Sequence, residues 1–147
     1  MTWRDAEFED LFRIVLPNDP IESDMRGNLA DTPQTRTLLR DNARTWEDDG
    51  EILAIVGVSP MWKGVGQVWT MLTENARERG VVLTRGVVGF LSMLHSERGY
   101  HRLQATVTRG DETGRLWILR LGFEYEGMML AYGPDLQSHS LYSRVRA

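Results

Sequence analysis

The 147 residues contain no cysteine, which excludes disulfide bridges and thiolate metal sites. The absence of cysteine is compatible with the cytosol, and the cytoplasm is the expected location. No apolar run approaches the roughly 20 residues that a membrane-spanning helix needs, so no membrane role is expected. A surplus of positive charge is missing too. The formal net charge of −4 disfavours nucleic acid as a partner, because such proteins present a basic face. There is no internal repeat and no low-complexity tract. The opening stretch "MTWRDAEFEDLFRIV" is acidic and helical in pattern, unlike the basic, apolar start of a secretory signal.

What is present describes an ordinary globular chain, with 41% hydrophobic and 26% charged residues. A chain this long buries about 68–70% of its unfolded surface as one domain, and a single domain over residues 1–147 is expected.

Apolar spacing predicts a helix over 3–15, with Trp3, Phe8, Leu11, Phe12 and Val15 on one face, ended by Pro17 and Pro20. Residues 21–33 read as a polar, turn-rich, mobile loop. A second helix is expected over 34–47, capped by Thr32-Pro33, with Leu38, Leu39, Ala43 and Trp46 apolar. Then the character changes. "EILAIVGVSP" (51–60), bounded by Asp49-Gly50 and Pro60, reads as a buried strand, and "GVGQVWTMLT" (64–73) reads as its antiparallel partner across the "MWKG" turn. A polar loop over 74–84 and a helix over 83–98 lead to the alternating strand "YHRLQATVT" (100–108). Residues 111–121 form a helix that stops at Gly122, the position for a left-handed glycine. Two final antiparallel strands, "FEYEGMMLAY" and "SLYSRV", flank the turn "GPDLQSH". Strand 65–73, the helix and strand 100–108 make a parallel, right-handed crossover. The fold class is therefore α/β or α+β with a mixed sheet.

The stretch "ATVTRGDETGRLWILRLGFEYEGMM" resembles the GNAT superfamily of N-acetyltransferases. "LGFEYEG" (121–127) matches the family's pattern between a short helix and the penultimate strand, and "LYSRV" (141–145) looks like its final strand. The order of elements agrees across about residues 50–147, and residues 1–50 look like the helical region that covers substrate. The whole arrangement is also similar to small acetyltransferase-like proteins of phages and prophages.

The resemblance implies a splayed sheet flanked by helices, with acetyl-CoA as cosubstrate and an amine as acceptor. Its pantetheine would pair with the backbone of Met71, Leu72 and Thr73, as a peptide adds to a sheet edge. Its pyrophosphate would lie at the N-terminus of the next helix, where unpaired N–H groups and the dipole favour anions. The residues offered there are Arg79-Gly80 and Thr84-Arg85-Gly86, with Thr84 as helix cap, but neither arginine-glycine pair supplies the family's full anion loop.

The motif helix departs as well. Asp111, Gly114 and Ile118 occupy the family's Asn, Ala and Tyr positions, and an isoleucine cannot protonate a leaving thiolate. Asp111 instead suits a helix N-cap.

Acetyl transfer needs a base for the ammonium and a proton donor for the thiolate. Glu74, just past the first splayed strand, is a candidate base, and Tyr132 and Tyr142 are candidate proton donors. His95, His101 and His139 share no ligand spacing, so no metal is expected. Trp69 and Trp117 suit the core or the cofactor cleft, and Trp62, in a turn, suits a substrate mouth or partner surface. Two functions stay open: an acetyl-CoA-dependent N-acetyltransferase, or a silent phage-type protein of the same fold that binds a host or virion protein. A homodimer through the final strands is compatible with either.

Overall fold

The computed structural model describes residues 2–16 and 29–146. Among them are seven strands: β1 (Thr2–Asp5), β2 (Ala43–Asp48), β3 (Glu51–Trp62), β4 (Val65–Leu72), β5 (Arg102–Thr108), β6 (Glu124–Met129) and β7 (His139–Val145). The helices are α1 (Asp10–Arg13), α2 (Pro33–Asn42), α3 (Glu74–Glu78), α4 (Gly80–Glu97) and α5 (Glu112–Arg120). The strands form one mixed sheet in the order β1-β2-β3-β4-β5-β7-β6. The fold is α+β, as the pattern predicted. The chain divides into two compact units, Met1–Val58 with Trp69–Gly86, and Ser59–Val68 with Val87–Ala147.

In the first unit, two expected helices give way partly to strands. Residues 2–5 pair antiparallel with β2, placing Trp3 opposite Trp46. The two indoles stack with centroids 5.7 Å apart and planes 11° from parallel. Such a pair is worth about 0.5–1.5 kcal/mol beyond its buried area. This long-range contact is invisible to local periodicity, which read Trp3 and Trp46 as helical. Phe8 and Leu11 are buried as expected, whereas Phe12 and Val15 face solvent.

The second helix begins where predicted, with Pro33 in its first turn and Thr32 Oγ1 accepting from Thr35 N–H at 3.1 Å. It stops at Asn42, where Asn42 Nδ2 donates to Leu38 O, and Ala43 turns extended. The hairpin β2–β3 then closes through Asp49 and Gly50, whose φ values of 50° and 81° are those of a tight two-residue turn. Most of the loop expected over 21–33 lies outside the described residues. Apolar side chains from α1, α2 and β2–β4, centred on Leu11, Ile55 and Met71, make this unit's core.

Asp10 is fully buried there. It accepts from Arg4 Nη1 and Nη2, Glu7 N–H and Thr45 Oγ1, at 2.8 to 3.0 Å. Burial alone would raise its carboxyl, but these donors outweigh burial and hold it below the ordinary carboxylate range.

The second unit follows the expected pattern closely. β4 and β5 pair in parallel from Val65–Arg102 to Gln67–Gln104. β5 and β7 run antiparallel from Arg102–Val145 to Thr108–His139, and β6 pairs with β7 around a bulge between Tyr125 and Gly127. Asp111 caps α5, accepting from Gly114 N–H at 3.0 Å.

The far end of α5 is a Schellman motif. Gly122 at φ 92° donates to Leu119 O, and Phe123 donates to Ile118 O. Phe123 and Ile118 occupy the two positions whose apolar side chains usually accompany that motif, and both are buried. "LGF" is thus a helix stop with an apolar plug, and Ile118 belongs to it.

Candidate functional site

The first unit gathers its distinctive chemistry at the end of β4. Thr73 is the hinge. Its N–H and its hydroxyl both donate to Leu53 O, at 3.0 and 2.8 Å, and Oγ1 accepts from Ala76 N–H to cap α3. Backbone groups alternate sides along a strand. With Thr73 committed to β3, Leu72 aims its N–H and C=O away from β3. The parallel ladder with β5 ends at Gln67, whereas β4 continues to Leu72.

A short helix occupies the span expected to be a polar loop, so α4 starts at Gly80 rather than Leu83. Arg79 joins the two helices: its N–H donates to Ala76 O and its C=O accepts from Leu83 N–H. The first turn of α4 carries no acidic residue, Val81 and Val82 are exposed, and the space beside Gly80 Cα is open. An 18-residue helix with such a start favours an anion through its dipole and its orphan N–H groups.

The predicted binding residues therefore sort into three groups. Leu72, Arg79 and Gly80 stand along this edge. Met71 is wholly buried in the core, and the Thr73 N–H already serves Leu53, so of the three backbone positions Leu72 faces outward. Thr84, Arg85 and Gly86 lie inside α4, not in a loop before it, which corrects the reading of Thr84 as its cap. A side chain at Gly86 would meet the Trp3 indole at 2.4 Å, so this glycine makes room for the tryptophan. Arg79 reaches Asp48, with Nη1 at 2.8 Å from Oδ2, and holds that carboxyl below its ordinary range.

Beside the same strand end is a cavity of about 480 Å³. Arg13, Val15 and Leu16 line one side, Gly50, Glu51 and Ile52 a second, and Thr73, Glu74 and Asn75 a third. Its size falls in the range of small-molecule sites. Glu74, predicted as a base, is the first residue of α3 and borders this cavity. It makes no hydrogen bond or ion pair among the described residues, whereas Glu51 Oε1 accepts from Asn75 Nδ2 at 2.8 Å. Arg13 Nη2 donates to Gly50 O at 3.3 Å, and Nη1 lies 3.6 Å from Asp10 Oδ1. Sequence reasoning missed Arg13, Glu51 and Asn75. The Asp49-Gly50 dipeptide was the one signal that placed Glu51 at a hairpin turn.

The two candidate tyrosines belong to the second unit. Tyr142 is buried, edge-on to Tyr125 with centroids 5.7 Å apart. Tyr132 is half exposed and meets the His139 ring edge-on at 5.3 Å. His95 Nδ1 lies 2.8 Å from Tyr100 O in the last turn of α4. Among the described residues, no group of His, Cys, Asp and Glu is placed to hold a metal. No described helix is long and apolar enough to cross a membrane. Trp69 packs against Gly57, where an added Cβ would meet the indole at 2.2 Å, and it is partly buried against the core. Trp62 is exposed at the hairpin tip.

No family model and no curated protein matches the sequence. Solved structures do match. Ribosomal-protein-alanine N-acetyltransferase from Brucella melitensis superposes with a TM-score of 0.76 at 17% identity, over 99% of this chain and 100% of that one. A GNAT-family acetyltransferase from Streptococcus pneumoniae gives 0.76 at 18% identity, covering 99% of each chain. Ard1 from Thermoplasma volcanium gives 0.75 at 14% identity, over 99% and 97%. At such identities the likeness establishes the fold, which is that of the GNAT acetyltransferases.

Proposed function

We propose that the protein is an acetyl-CoA-dependent N-acetyltransferase acting on an amine. One observation carries the reading. β4 leaves its parallel ladder after Gln67 and runs, through the committed Thr73, into two helices of which the second has an open, acid-free N-terminus. These residues fit acetyl-CoA. Leu72 would pair with the pantetheine amides, and the first-turn N–H groups of α4 would hold the pyrophosphate. Arg79 adds positive charge there, shared with Asp48.

Bound acetyl-CoA supplies an acetyl thioester. The acceptor nitrogen attacks the thioester carbonyl carbon, the C–S bond breaks, and CoA leaves as a thiolate. Glu74 takes the ammonium proton, directly or through water, because among the described residues it is the cavity carboxylate without a partner. The nitrogen gives up its second proton to solvent as the C–S bond breaks, and the thiolate takes its proton from solvent. Ile118 supplies none.

Titration of the protein with acetyl-CoA, followed by an assay of thiol release with a panel of amines, tests this. Saturable binding with thiol release supports it, and no binding at millimolar acetyl-CoA overturns it. Ile118 favours a second reading, a silent phage-type binding protein that kept the fold, since its buried aliphatic side chain carries no proton to donate and sits at a Schellman position. That reading gains if acetyl-CoA binding is absent and a pull-down recovers a host or virion protein.

A further inference from the structure

The formal charge of −4 is not shared evenly along the chain. The second unit, residues 59–68 with 87–147, carries eight lysines and arginines against six aspartates and glutamates. The first unit carries nine against fifteen. The acidic balance of the whole therefore conceals a unit of net +2, and it does not argue against a polyanion docking on that unit.

Part of this positive charge collects at one end of the unit's sheet. β3 turns into β4 through Lys63 and Gly64, the latter at φ 80°. Gly64 O accepts from His101 N–H and Arg102 N–H at 2.9 and 3.0 Å, and His101 O accepts from Arg146 N–H at 2.8 Å. Gly64, His101 and Arg146 thus stand side by side at neighbouring strand ends, which span roughly 10 Å at about 4.8 Å per strand. Arg98 lies in the turn that leads from α4 into β5, close enough for its charge to act on the Tyr100 hydroxyl. Lys63, Arg98 and Arg146 are all exposed.

Little at this end neutralises them. Arg102 is taken by Glu126 in a bidentate pair at 2.7 and 2.8 Å. The other carboxylates toward this end are Glu97, the last residue of α4, and Glu124, the first of β6. Lys63, Arg144 and Arg146 make no ion pair among the described residues. Arg144 Nη1 is buried without a hydrogen-bond partner. Burial and then the neighbouring Arg146 lower the pKa of that guanidinium, with no carboxylate offsetting them. Beside Lys63, the Trp62 side chain is 65% exposed. A tryptophan so placed offers the flat face of its ring to a ligand.

We propose that this end of the sheet docks single-stranded nucleic acid, with Lys63, Arg98 and Arg146 on its phosphates and a base stacked on Trp62. The proposal goes beyond the N-acetyltransferase reading and does not rest on it. Cations that meet phosphates release condensed counterions, which drives binding without regard to sequence. An aromatic ring adds base stacking, which every base can supply. Only an unpaired strand presents base faces, so a duplex would leave Trp62 idle. An acidic peptide would use the cations and leave the indole without a role. A lipid surface asks for about four to eight basic residues together, and the exposed ones here are three.

The test is fluorescence anisotropy of a labelled oligouridylate titrated with the full chain, at about 50 mM salt and upward. Three phosphate contacts predict a log–log salt slope of about −2. Trp62→Ala should weaken binding about fivefold or more and leave the slope unchanged. Arg146→Ala should weaken it and reduce the slope by about 0.7. Arg40→Ala, which removes an exposed arginine of the first unit, should change nothing. Saturating acetyl-CoA should not displace the oligonucleotide. A readout without substitution is also available, because Lys63 is the chain's only lysine. Its modification by an amine-reactive ester, read by mass spectrometry, should slow when oligouridylate is bound. Circular dichroism checks that the variants fold.

No binding at low salt overturns the proposal, as does binding indifferent to either Trp62→Ala or Arg146→Ala. Displacement by acetyl-CoA would place the oligonucleotide in the proposed cofactor site and overturn it as well. Equal or tighter binding of polyglutamate, or of phosphatidylglycerol vesicles, would replace nucleic acid with an acidic protein or a membrane as the partner.

Discussion

A cluster in the first unit and a helix in the second settle their polar groups in different ways. In the first unit a fully buried carboxylate, Asp10, is surrounded by donors, yet Glu74 borders a cavity without a partner among the described residues. In the second unit the helix that carries the family-like motif answers its own termini: Asp111 caps its start and Gly122 with Phe123 closes its end. Uncommitted groups beside a cavity are available to a ligand, whereas groups satisfied within an element serve stability. The recognisable motif closes its own helix ends, and the proposed chemistry lies in the less recognisable half.

Four substitutions probe that contrast. The largest effect is expected from Asp10→Ala, which leaves the Arg4 charge without its buried partner. Removing one member of a buried ion pair costs about 3–5 kcal/mol. Arg4 stays partly exposed and keeps Glu47, which places the cost near the lower figure. The urea midpoint should fall with an unchanged slope. A loss under about 1 kcal/mol, the typical worth of an exposed pair, would mean that Asp10 is no anchor.

Gly57→Ala should cost about 1–3 kcal/mol, because the new methyl meets the Trp69 indole and the ring must shift in a packed core. Tryptophan fluorescence should move with the stability. Neutral behaviour would show a looser first unit than the close approach implies.

In the second unit, Asp111→Ala removes only a cap and should cost about 1 kcal/mol. If acetyl-CoA binding collapses while the fold persists, the motif helix is more than scaffold.

The smallest effect is a pH slope. Burial pushes His95 below its ordinary value of 6.5, and Arg144 and Arg146 add to this against the Tyr100 carbonyl. The folded state then binds fewer protons than the unfolded state just below pH 6.5, so stability is retained above that pH and falls as pH drops beneath it. His95→Gln should flatten that part of the profile, as measured by denaturant unfolding from neutral to mildly acid pH. An unchanged slope assigns the pH dependence to another group.

The second unit was legible because its signals are local. Leu103 and Ala105 alternate, and Gly122 sits where only a left-handed residue ends the helix cleanly. The first unit was less legible because its decisive contacts are distant in sequence. Trp3 stacks on Trp46 and Arg4 reaches Glu47, and no window over either segment contains both partners. The apolar spacing that joins Trp3 to Phe8 and Leu11 imitates a helix, and tertiary pairing overrides it. One local sign was available. Asp49-Gly50 is a strong hairpin dipeptide, and it implies a strand on each side, not a helix before it.

The candidate site divides the same way. Leu72, Glu74, Arg79 and Gly80 were placed by strand and helix order. Arg13 and Glu51 reach the cavity only through the tertiary fold. Thr84 was misassigned because Thr73 starts a further short helix upstream, which moves the start of α4 back to Gly80.

The central claim is that ligand chemistry resides in the first unit, at the end of β4 and the start of α4. Amide hydrogen exchange of the full chain, with and without saturating acetyl-CoA, tests it most directly. The account predicts protection confined chiefly to residues 70–83, strongest at Leu72 and in the first turn of α4. Protection absent there and concentrated instead in α5 and the β6–β7 pair would contradict it.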